Sequence, residues 1–311
     1  MEKIKVAFFG TPIFAIPILE GLVENYDVVL VVTQPDKPVG RSKELKPSPI
    51  KEFALKHNIK VLTPAKIKEQ YQEIITEEID IIVTCAYGQI IPDELLSFPR
   101  LGCINVHASL LPELRGGAPI HKAIINGYEK TGITIMYMAS KMDAGDIISQ
   151  IETPITDEDN VGTLHDRLSQ LGSELLLNTL PSIIDGTNAR APQDEDLVTY
   201  AYNIQREEEK LNFNKNTIEL VNQIRGLYPW PLAYMLIDNK ETKVLKAKVS
   251  NKCMDGEVGT IIHADEEGLY IKTIDGVLKV LEIKPFSKKE TNIKDYLNGK
   301  DKNSLIGRSV R

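Results

Sequence analysis

The sequence predicts an α/β protein: an N-terminal domain with a Rossmann-like, mostly parallel sheet, followed by a small OB-like β-barrel. In the first half of the chain, short apolar, often β-branched runs alternate with segments of helical spacing, which is typical of βαβ units. In the last third, five short strand-like runs are separated by Asp-Asn and Asp-Gly turns, which favours a small barrel. The chain of 311 residues has room for two ordinary domains. We therefore expect a first domain over 1–189, a polar, Pro-containing linker over 190–206 and the barrel over 207–311.

Apolar runs and helical spacing place the elements of the first domain. The predicted strands are 5–9, 28–32, 60–62, 80–85, the apolar run that ends at His107, and 131–138. The predicted helices are 14–24, 51–57, 65–78, 92–96, 118–127 and 161–184. The last of these carries leucines along one face and is interpreted as a core-packing helix.

The predicted barrel domain begins with a helix. Its elements are a helix over 216–226, an extended Tyr-Pro-Trp-Pro turn over 228–231, and strands 233–237, 243–249, 259–262, 268–273 and 277–283. Small five-stranded barrels often bind nucleic acid. A lid or docking module without such a partner is the alternative.

The composition is that of a soluble globular protein, with 42% hydrophobic and 26% charged residues. No apolar run of about 18 residues predicts a membrane span, and the N-terminus enters a strand without the features of a signal peptide. The three cysteines are an odd number, and Cys85 and Cys103 fall inside apolar strands, so we expect buried, reduced thiols. No Cys/His cluster predicts a metal. A cytoplasmic monomer is the default expectation.

The net charge of −7 hides an asymmetry, because residues 206–311 sum to +3 and the remainder of the chain to −10. A basic C-terminal region on an acidic protein favours a polyanionic partner. A chance variation of surface charge explains the asymmetry equally well.

A second basic feature is the segment 34–51, which is rich in proline and lysine and too long for a simple connection. We expect it to be a loop at the carboxyl edge of the sheet, where four side chains are candidates for phosphate contacts: Lys37, Arg41, Lys43 and Lys46. A solvated surface loop is the alternative interpretation.

The stretch 102–121 is the strongest candidate for a site. Side chains alternate along a strand, so Asn105 and His107 point to the same side, at the carboxyl end where ligands bind in open α/β sheets. In the loop that follows, Pro112 limits φ, whereas Gly116 permits a positive φ or a close approach of the backbone, so the loop is better suited to holding a ligand than to packing.

Asp143 lies in a tight turn over 139–148 that also carries Asp146. An aspartate in such a turn often bonds only its own backbone. Beside His107, however, a carboxylate can orient the imidazole, fix its tautomer and favour its charged form, and the Asn105 amide can donate a hydrogen bond to a developing oxyanion. This set of groups suits acyl transfer to an amine without a covalent intermediate.

Other chemistries find weaker support. The turn after the first strand, Gly10-Thr11-Pro12, lacks the GxGxxG pattern, and no Walker motif occurs, so neither NAD nor a P-loop nucleotide site is predicted. Ser109 lacks the G-x-S-x-G elbow of a hydrolase nucleophile. Asn105-x-His107 supplies one good zinc ligand where two or three are needed.

The whole chain resembles the methionyl-tRNA formyltransferase family of folate-dependent formyltransferases. The segments that carry the resemblance are FGTPIFA (9–15), TQPDKPVGRSKELKPSPIK (33–51), NVHASLLPELRGGAPI (105–120), TGITIM (131–136), MDAGDI (142–147) and YPWP (228–231). The SLLPxxRGxAPI loop and the DxGDI turn are shared by folate-dependent formyltransferases in general. The long basic loop and the YPWP-bearing barrel narrow the match to the tRNA enzymes.

The resemblance implies transfer of the formyl group of 10-formyltetrahydrofolate to the α-amino group of methionine on initiator methionyl-tRNA. It implies that Asn105, His107 and Asp143 carry out the chemistry. It also implies that Ser109, Leu110, Leu111 and Pro112 line the folate site, that Arg41 and its basic neighbours reach the tRNA acceptor end, and that the barrel contacts tRNA phosphates.

Three alternatives remain open at this point. The chain could formylate a small amine, it could hydrolyse 10-formyltetrahydrofolate with water in place of the amine, or it could be a tRNA-binding module without catalysis. Transfer assays with and without tRNA distinguish the three.

Overall fold

A computed structural model of the chain describes residues 3–40, 43–252, 254–299 and 301–310. The chain divides into two compact units. The first unit comprises Met1–Pro119, Lys130–Pro154 and His165–Tyr202, and the second comprises Ile120–Glu129, Ile155–Leu164 and Asn203–Arg311. The expected linker 190–206 is thus divided, with 190–202 in the first unit and 203–206 in the second.

The first unit is built on a seven-stranded sheet. The strands in this part of the chain are β1 Lys5–Gly10, β2 Asp27–Val32, β3 Lys37–Val39, β4 Glu44–Lys46, β5 Lys60–Leu62, β6 Ile81–Cys85, β7 Cys103–His107, β8 Lys130–Tyr137 and β9 Ile147–Pro154. The sheet order is β5-β2-β1-β6-β7-β8-β9, with parallel pairing from β5 to β7 and antiparallel pairing of β8 and β9. Every residue of β6 is buried, as expected of a central parallel strand. The predicted mostly parallel sheet is confirmed.

Six α-helices lie between these strands or follow them in the described chain. They are α1 Ile16–Asn25, α2 Pro49–Lys56, α3 Ile67–Gln70, α4 Asp93–Leu96, α5 Pro119–Ile125 and α6 Val161–Ile184. The helix predicted over 65–78 is wrong in extent, because only α3 and a 3-10 turn at Ile74–Thr76 form there. Ile67 and Ile74 are the residues of these two elements that are buried, and so narrow an apolar face gives little packing to support a continuous helix.

The segment expected to be an irregular loop contains a short hairpin of β3 and β4, in which Lys37 lies opposite Lys46. Gly40 has a φ of 71°, and this left-handed conformation lets the chain reverse. The base of the hairpin is anchored by an ion pair of Lys51 Nζ with Asp36 Oδ1 at 2.8 Å. The described parts of the segment, 34–40 and 43–51, therefore have a defined backbone, which composition alone did not reveal.

The second unit contains an antiparallel sheet of six strands. Its elements are α7 Thr217–Gly226, β10 Ala233–Ile237, β11 Lys240–Val249, β12 Ile261–Asp265, β13 Gly268–Lys272, β14 Val277–Lys284, β15 Thr291–Asn292 and α8 Ile293–Leu297. The order is β10-β11-β14-β13-β12, with β15 paired to β14. Bridges from Ile237 to Val310 and from Thr260 to Ser309 bring the end of the chain against both edges, which closes the sheet. The predicted small barrel is confirmed.

Cys85 and Cys103 are buried free thiols, as expected. Burial raises the pKa of both thiols, that of Cys103 to about 12, so neither is a reactive thiolate at neutral pH. Cys253 lies outside the described residues. No helix in the described ranges has the length and apolar character needed to cross a membrane.

Candidate active site

Asn105 and His107 stand on β7, at the carboxyl end of the parallel strands. The strand pairs with β6 on one side and β8 on the other, and Thr84 and Met136 are the neighbours of Asn105 across it. Asn105 and His107 are separated by one residue along β7, so both side chains lie on one face of the strand, as the sequence predicts. His107 is 5% exposed, whereas Asn105 is partly exposed. The imidazole is therefore sheltered from water next to an amide that a ligand can reach.

The two ring nitrogens of His107 have different partners. Nε2 lies 3.1 Å from the carbonyl oxygen of Leu114, and because a carbonyl can only accept, Nε2 carries a hydrogen and donates it. Nδ1 faces Oδ1 of Asp143 at 3.7 Å, which is too far for a hydrogen bond but close enough for charge attraction. The Leu114 carbonyl thus fixes the tautomer, which sequence reasoning assigned to the carboxylate. Neutral His107 has its lone pair on Nδ1 and can accept a proton beside Asp143.

Asp143 is held by backbone geometry. Its φ is 49°, a left-handed conformation that is uncommon for a residue with a Cβ, and its Oδ2 accepts a hydrogen bond of 2.8 Å from the N–H of Gly116. Gly145, two residues on, is so close to β8 that a Cβ there would lie 1.9 Å from the carbonyl oxygen of Tyr137. The Asp143 carboxylate therefore accepts a hydrogen bond from the 109–119 loop, in addition to any role in its own turn.

Thr84 on β6 orients the amide of Asn105. Its Oγ1 donates to Oδ1 of Asn105 at 2.7 Å. The amide oxygen of Asn105 therefore faces Thr84, and the Nδ2 hydrogens are not used in this contact. An amide fixed in this sense presents a donor, which is what a developing oxyanion requires. Sequence reasoning did not single out Thr84, since a threonine in an apolar strand carries no distinctive signal.

Hydrogen bonds from the antiparallel strands hold the 109–112 segment. Thr134 Oγ1 donates to the carbonyl of Ser109 at 2.7 Å and accepts from the N–H of Leu111 at 3.1 Å. Gln150 Nε2 donates to the carbonyl of Leu111 at 2.9 Å. Ser109 and Leu111 are buried, and Leu110 and Pro112 are partly exposed. These contacts give the predicted folate-lining segment a fixed shape, and sequence reasoning missed both Thr134 and Gln150.

Ser109 is engaged locally. Its hydroxyl donates to the carbonyl of Glu113 at 2.6 Å, and the residue is fully buried. A hydroxyl in this state has no base to activate it, which agrees with the sequence argument against a serine nucleophile.

The predicted tRNA-contacting lysines lie together on the hairpin. Lys37, Lys43 and Lys46 are exposed, and none of the three forms an ion pair within the part of the chain that the structure describes. Arg41, predicted with them, lies outside the described residues. Lys37 and Lys46 face each other across the hairpin, an arrangement of like charges that costs stability unless an anion is present.

The site therefore combines an amide donor, a buried imidazole with one free nitrogen and a carboxylate beside it. These groups can stabilise an oxyanion, accept a proton and stabilise the resulting imidazolium. Among the described residues, no group of three or more His, Cys, Asp or Glu side chains could hold a metal ion.

Two family models match the chain. The formyl transferase model matches residues 3–180, and the model of the formyl transferase C-terminal domain matches residues 203–301. The chain belongs to the formyltransferase family.

Curated relatives extend the match along the chain. Methionyl-tRNA formyltransferases from Staphylococcus epidermidis and from Geobacillus sp. strain WCH70 are 51% and 50% identical to it. The first match covers 98% of both proteins, and the second covers 98% of this chain and 97% of the relative.

Solved structures share the fold. A sugar 3N-formyl transferase, WlaRD, crystallised with dTDP and 5-N-formyl-THF, has a TM-score of 0.68 at 24% identity and covers 93% of this chain and 100% of that one. HypX from Aquifex aeolicus in complex with tetrahydrofolic acid has a TM-score of 0.61 at 15% identity, over 96% of this chain and 47% of that one.

Proposed function

We propose that this chain transfers the formyl group of 10-formyltetrahydrofolate to the α-amino group of methionine on initiator methionyl-tRNA. The observation that carries the proposal is the identity of about half of all residues, over nearly the whole length of both chains, with methionyl-tRNA formyltransferases. The site geometry agrees with it, since an amide donor, a free imidazole nitrogen and a carboxylate are the groups that direct acyl transfer to an amine requires.

The chemistry is assigned to three side chains. The methionine amine attacks the formyl carbon, and Nδ2 of Asn105 donates a hydrogen bond to the carbonyl oxygen as it becomes an oxyanion. Nδ1 of His107 accepts the proton that the amine loses, and Asp143 stabilises the imidazolium. When the tetrahedral intermediate collapses, the bond from the formyl carbon to the folate nitrogen breaks, and that nitrogen takes the proton from Nδ1 of His107, which returns the imidazole to its neutral form. The formyl group ends on the amine, and tetrahydrofolate leaves.

Folate binding is assigned to the 109–112 segment, and tRNA binding to residues 207–311. Ser109, Leu110, Leu111 and Pro112 line the folate site, where the hydrogen bonds of Thr134 hold their backbone in place before the ligand arrives. Residues 1–189 act as the catalytic domain and 207–311 as the tRNA-binding domain, and within the connecting segment 190–206 the residues 190–202 belong to the first unit. No metal is assigned a role.

The basic hairpin is assigned to the acceptor end of the tRNA. Lys37, Lys43 and Lys46 present exposed positive charge that forms no ion pair among the described residues, and with Arg41 they would contact phosphates. The repulsion of Lys37 and Lys46 across the hairpin is relieved when a phosphate binds near both. We assign the protein to the cytoplasm as a monomer, where charged initiator tRNA is its substrate.

Transfer of labelled formyl from 10-formyltetrahydrofolate tests the proposal, with initiator and elongator methionyl-tRNA as parallel acceptors. We expect transfer to the initiator and little to the elongator. Transfer to a small amine but to neither tRNA would instead favour a small-molecule formyltransferase. Release of formate in the absence of any acceptor would favour a hydrolase.

A further inference from the structure

Residues 190–202, here called the strap, were expected to link two domains, but they are bonded to both loops of the candidate site. Ala191 pairs with Ile147, directly after the Asp143 turn, through hydrogen bonds of 2.8 and 2.9 Å. Ala201 accepts from the N–H of Ala118 at 2.9 Å and donates to the carbonyl of Arg115 at 2.7 Å. The strap thus joins the turn that carries Asp143 to the loop that follows His107.

Gln193 is the centre of the strap's contact with the Asp143 turn. Its Nε2 donates to the carbonyls of Asp143 and Gly145, each at 2.8 Å. Its Oε1 accepts from Nε and Nη2 of Arg115 at 3.0 and 2.8 Å. Because carbonyls only accept and a guanidinium only donates, the orientation of the amide is unambiguous, and both of its N–H groups are used.

Arg115 fixes the other side of this amide. It is fully buried, and Nη2 forms an ion pair with Oε1 of Glu195 at 3.0 Å. Glu195 in turn pairs with Lys141 at 2.7 Å. A buried guanidinium is costly unless it is paired and hydrogen-bonded, so these partners hold it, and through it Gln193, in one position.

The loop that contains Arg115 also contacts the side chains of His107 and Asp143. Leu114, whose carbonyl binds His107, donates its N–H to Oγ1 of Thr199 in the strap at 2.9 Å. Gly116, whose N–H binds Asp143, follows Arg115 directly. Movement of the strap would therefore change the distance between His107 and Asp143.

We propose that Gln193 is a positioning residue for the transfer reaction: by linking the backbone of the Asp143 turn to buried Arg115, it sets the Asp143 carboxylate beside Nδ1 of His107. The proposal rests on the proposed function. The strained φ of 49° at Asp143 supports it, because a turn in that conformation persists only where surrounding bonds hold it.

Gln193→Met keeps the length of the side chain and removes all four hydrogen bonds. We expect kcat to fall about 10- to 100-fold, as for a small misplacement of a catalytic group, with KM for both substrates within about twofold of wild type. Gln193→Glu keeps the acceptor for Arg115 but removes the donor to the Asp143 turn, and we expect a similar loss of kcat. Gln72→Met, at an exposed glutamine remote from these contacts, is the matched control and should leave kcat unchanged.

A double-mutant cycle separates positioning from loss of folding. If Gln193 acts through Asp143, Gln193→Met should cost less than about twofold in an Asp143→Asn background, whereas a general structural defect would cost the same in both backgrounds. Circular dichroism and thermal melting check that each variant is folded. If Gln193→Met does not fold, Gln193→Glu takes its place in the double-mutant cycle.

Two results would overturn the proposal. One is a kcat of Gln193→Met or Gln193→Glu within about twofold of wild type, and the other is an undiminished effect in the Asp143→Asn background. Both presuppose that the wild-type chain formylates initiator methionyl-tRNA. Failure of the wild type itself would remove the proposed function together with this inference, so the two kinds of failure are distinguishable.

Discussion

Nδ1 of His107 lies 3.7 Å from Oδ1 of Asp143, while Nε2 on the opposite side of the ring is bound to the Leu114 carbonyl at 3.1 Å. The imidazole therefore has one nitrogen occupied by the backbone and one directed at a carboxylate. A proton taken up at Nδ1 is stabilised where it arrives, because the carboxylate is already in place. We therefore propose His107 as the base of the reaction and Asp143 as its electrostatic partner.

Thr84 is expected to affect catalysis through Asn105. Thr84→Val removes the 2.7 Å hydrogen bond to Oδ1 while nearly preserving shape, so the amide loses its fixed orientation. A hydrogen bond of this kind contributes about 1 kcal/mol, so we expect kcat to fall about 5- to 10-fold. Steady-state kinetics with saturating folate and tRNA measure this. Thr84→Ser, which retains the hydroxyl, is the control, and equal losses in the two variants would argue against the amide as the target.

Gly145 is expected to tolerate no side chain. In Gly145→Ala the Cβ would lie 1.9 Å from the carbonyl oxygen of Tyr137, so the Asp143 turn must move or the variant must lose stability, by more than about 4 kcal/mol. Chemical denaturation and formyl transfer measure the two effects. Gly186→Ala is the control, because Gly186 has a φ of 69° but open space around it, and should cost only about 1–2 kcal/mol. Equal costs at the two positions would show that the approach to Tyr137 is unimportant.

Lys46 is expected to strengthen tRNA binding while its repulsion of Lys37 lowers the stability of the hairpin in the absence of tRNA. Lys46→Glu places opposite charges at Lys37 and position 46, which should leave stability unchanged or slightly increased. KM for tRNA should rise, and the slope of log K against log salt concentration should become shallower by roughly 1 for each phosphate that the variant no longer neutralises. Titration of enzyme with tRNA at several salt concentrations measures this. Lys68→Glu, at an exposed position on α3, is the control, and an equal effect there would indicate only a general charge effect.

Asp265 in the second unit is expected to stabilise the folded protein at neutral pH, and this contribution is lost in acid. Burial raises the pKa of its carboxyl, but hydrogen bonds from Lys252, the N–H of Glu267 and His263 outweigh this and lower the pKa to about 2. A depressed folded-state pKa adds stability above the unfolded value near 4 and loses it as the pH falls from about 4 to about 2. Asp265→Asn should therefore cost about 1–2 kcal/mol at pH 7, after allowance for solvent screening, and almost nothing near pH 2.

Denaturant unfolding of both proteins across this pH range measures the difference. Asp301→Asn, at an exposed carboxylate whose contact among the described residues is the cap of a short turn, is the control. A cost of Asp265→Asn that stays constant from pH 7 to pH 2 would contradict the linkage.

Local patterns in the sequence were sufficient for much of the fold and for part of the site. Strand alternation places Asn105 and His107 on one face, and the run of β6, apolar apart from Thr84, predicts a central parallel strand. Apolar spacing alone overextended the helix at α3, because a sequence with few core-facing residues does not specify a continuous helix. The hairpin of β3 and β4 was missed because its strands are short and exposed.

The supporting contacts could not be read from the sequence, because they join residues that are distant along the chain. Thr84 meets Asn105 only through the pairing of β6 and β7, and Gln193 meets Asp143 and Arg115 only after the strap returns to the sheet. A polar, Pro-containing segment predicts a linker equally well whether or not it binds the loops beside it. Such contacts depend on tertiary structure.

The most direct test of the account is the rate of formyl transfer by His107→Gln. The glutamine amide can still donate to the Leu114 carbonyl, but it has no nitrogen that can accept a proton beside Asp143. The account predicts a fall in single-turnover rate of about 10²- to 10⁴-fold, with initiator methionyl-tRNA and folate binding within about threefold of wild type. A variant that is folded and transfers formyl within about threefold of the wild-type rate would contradict the account.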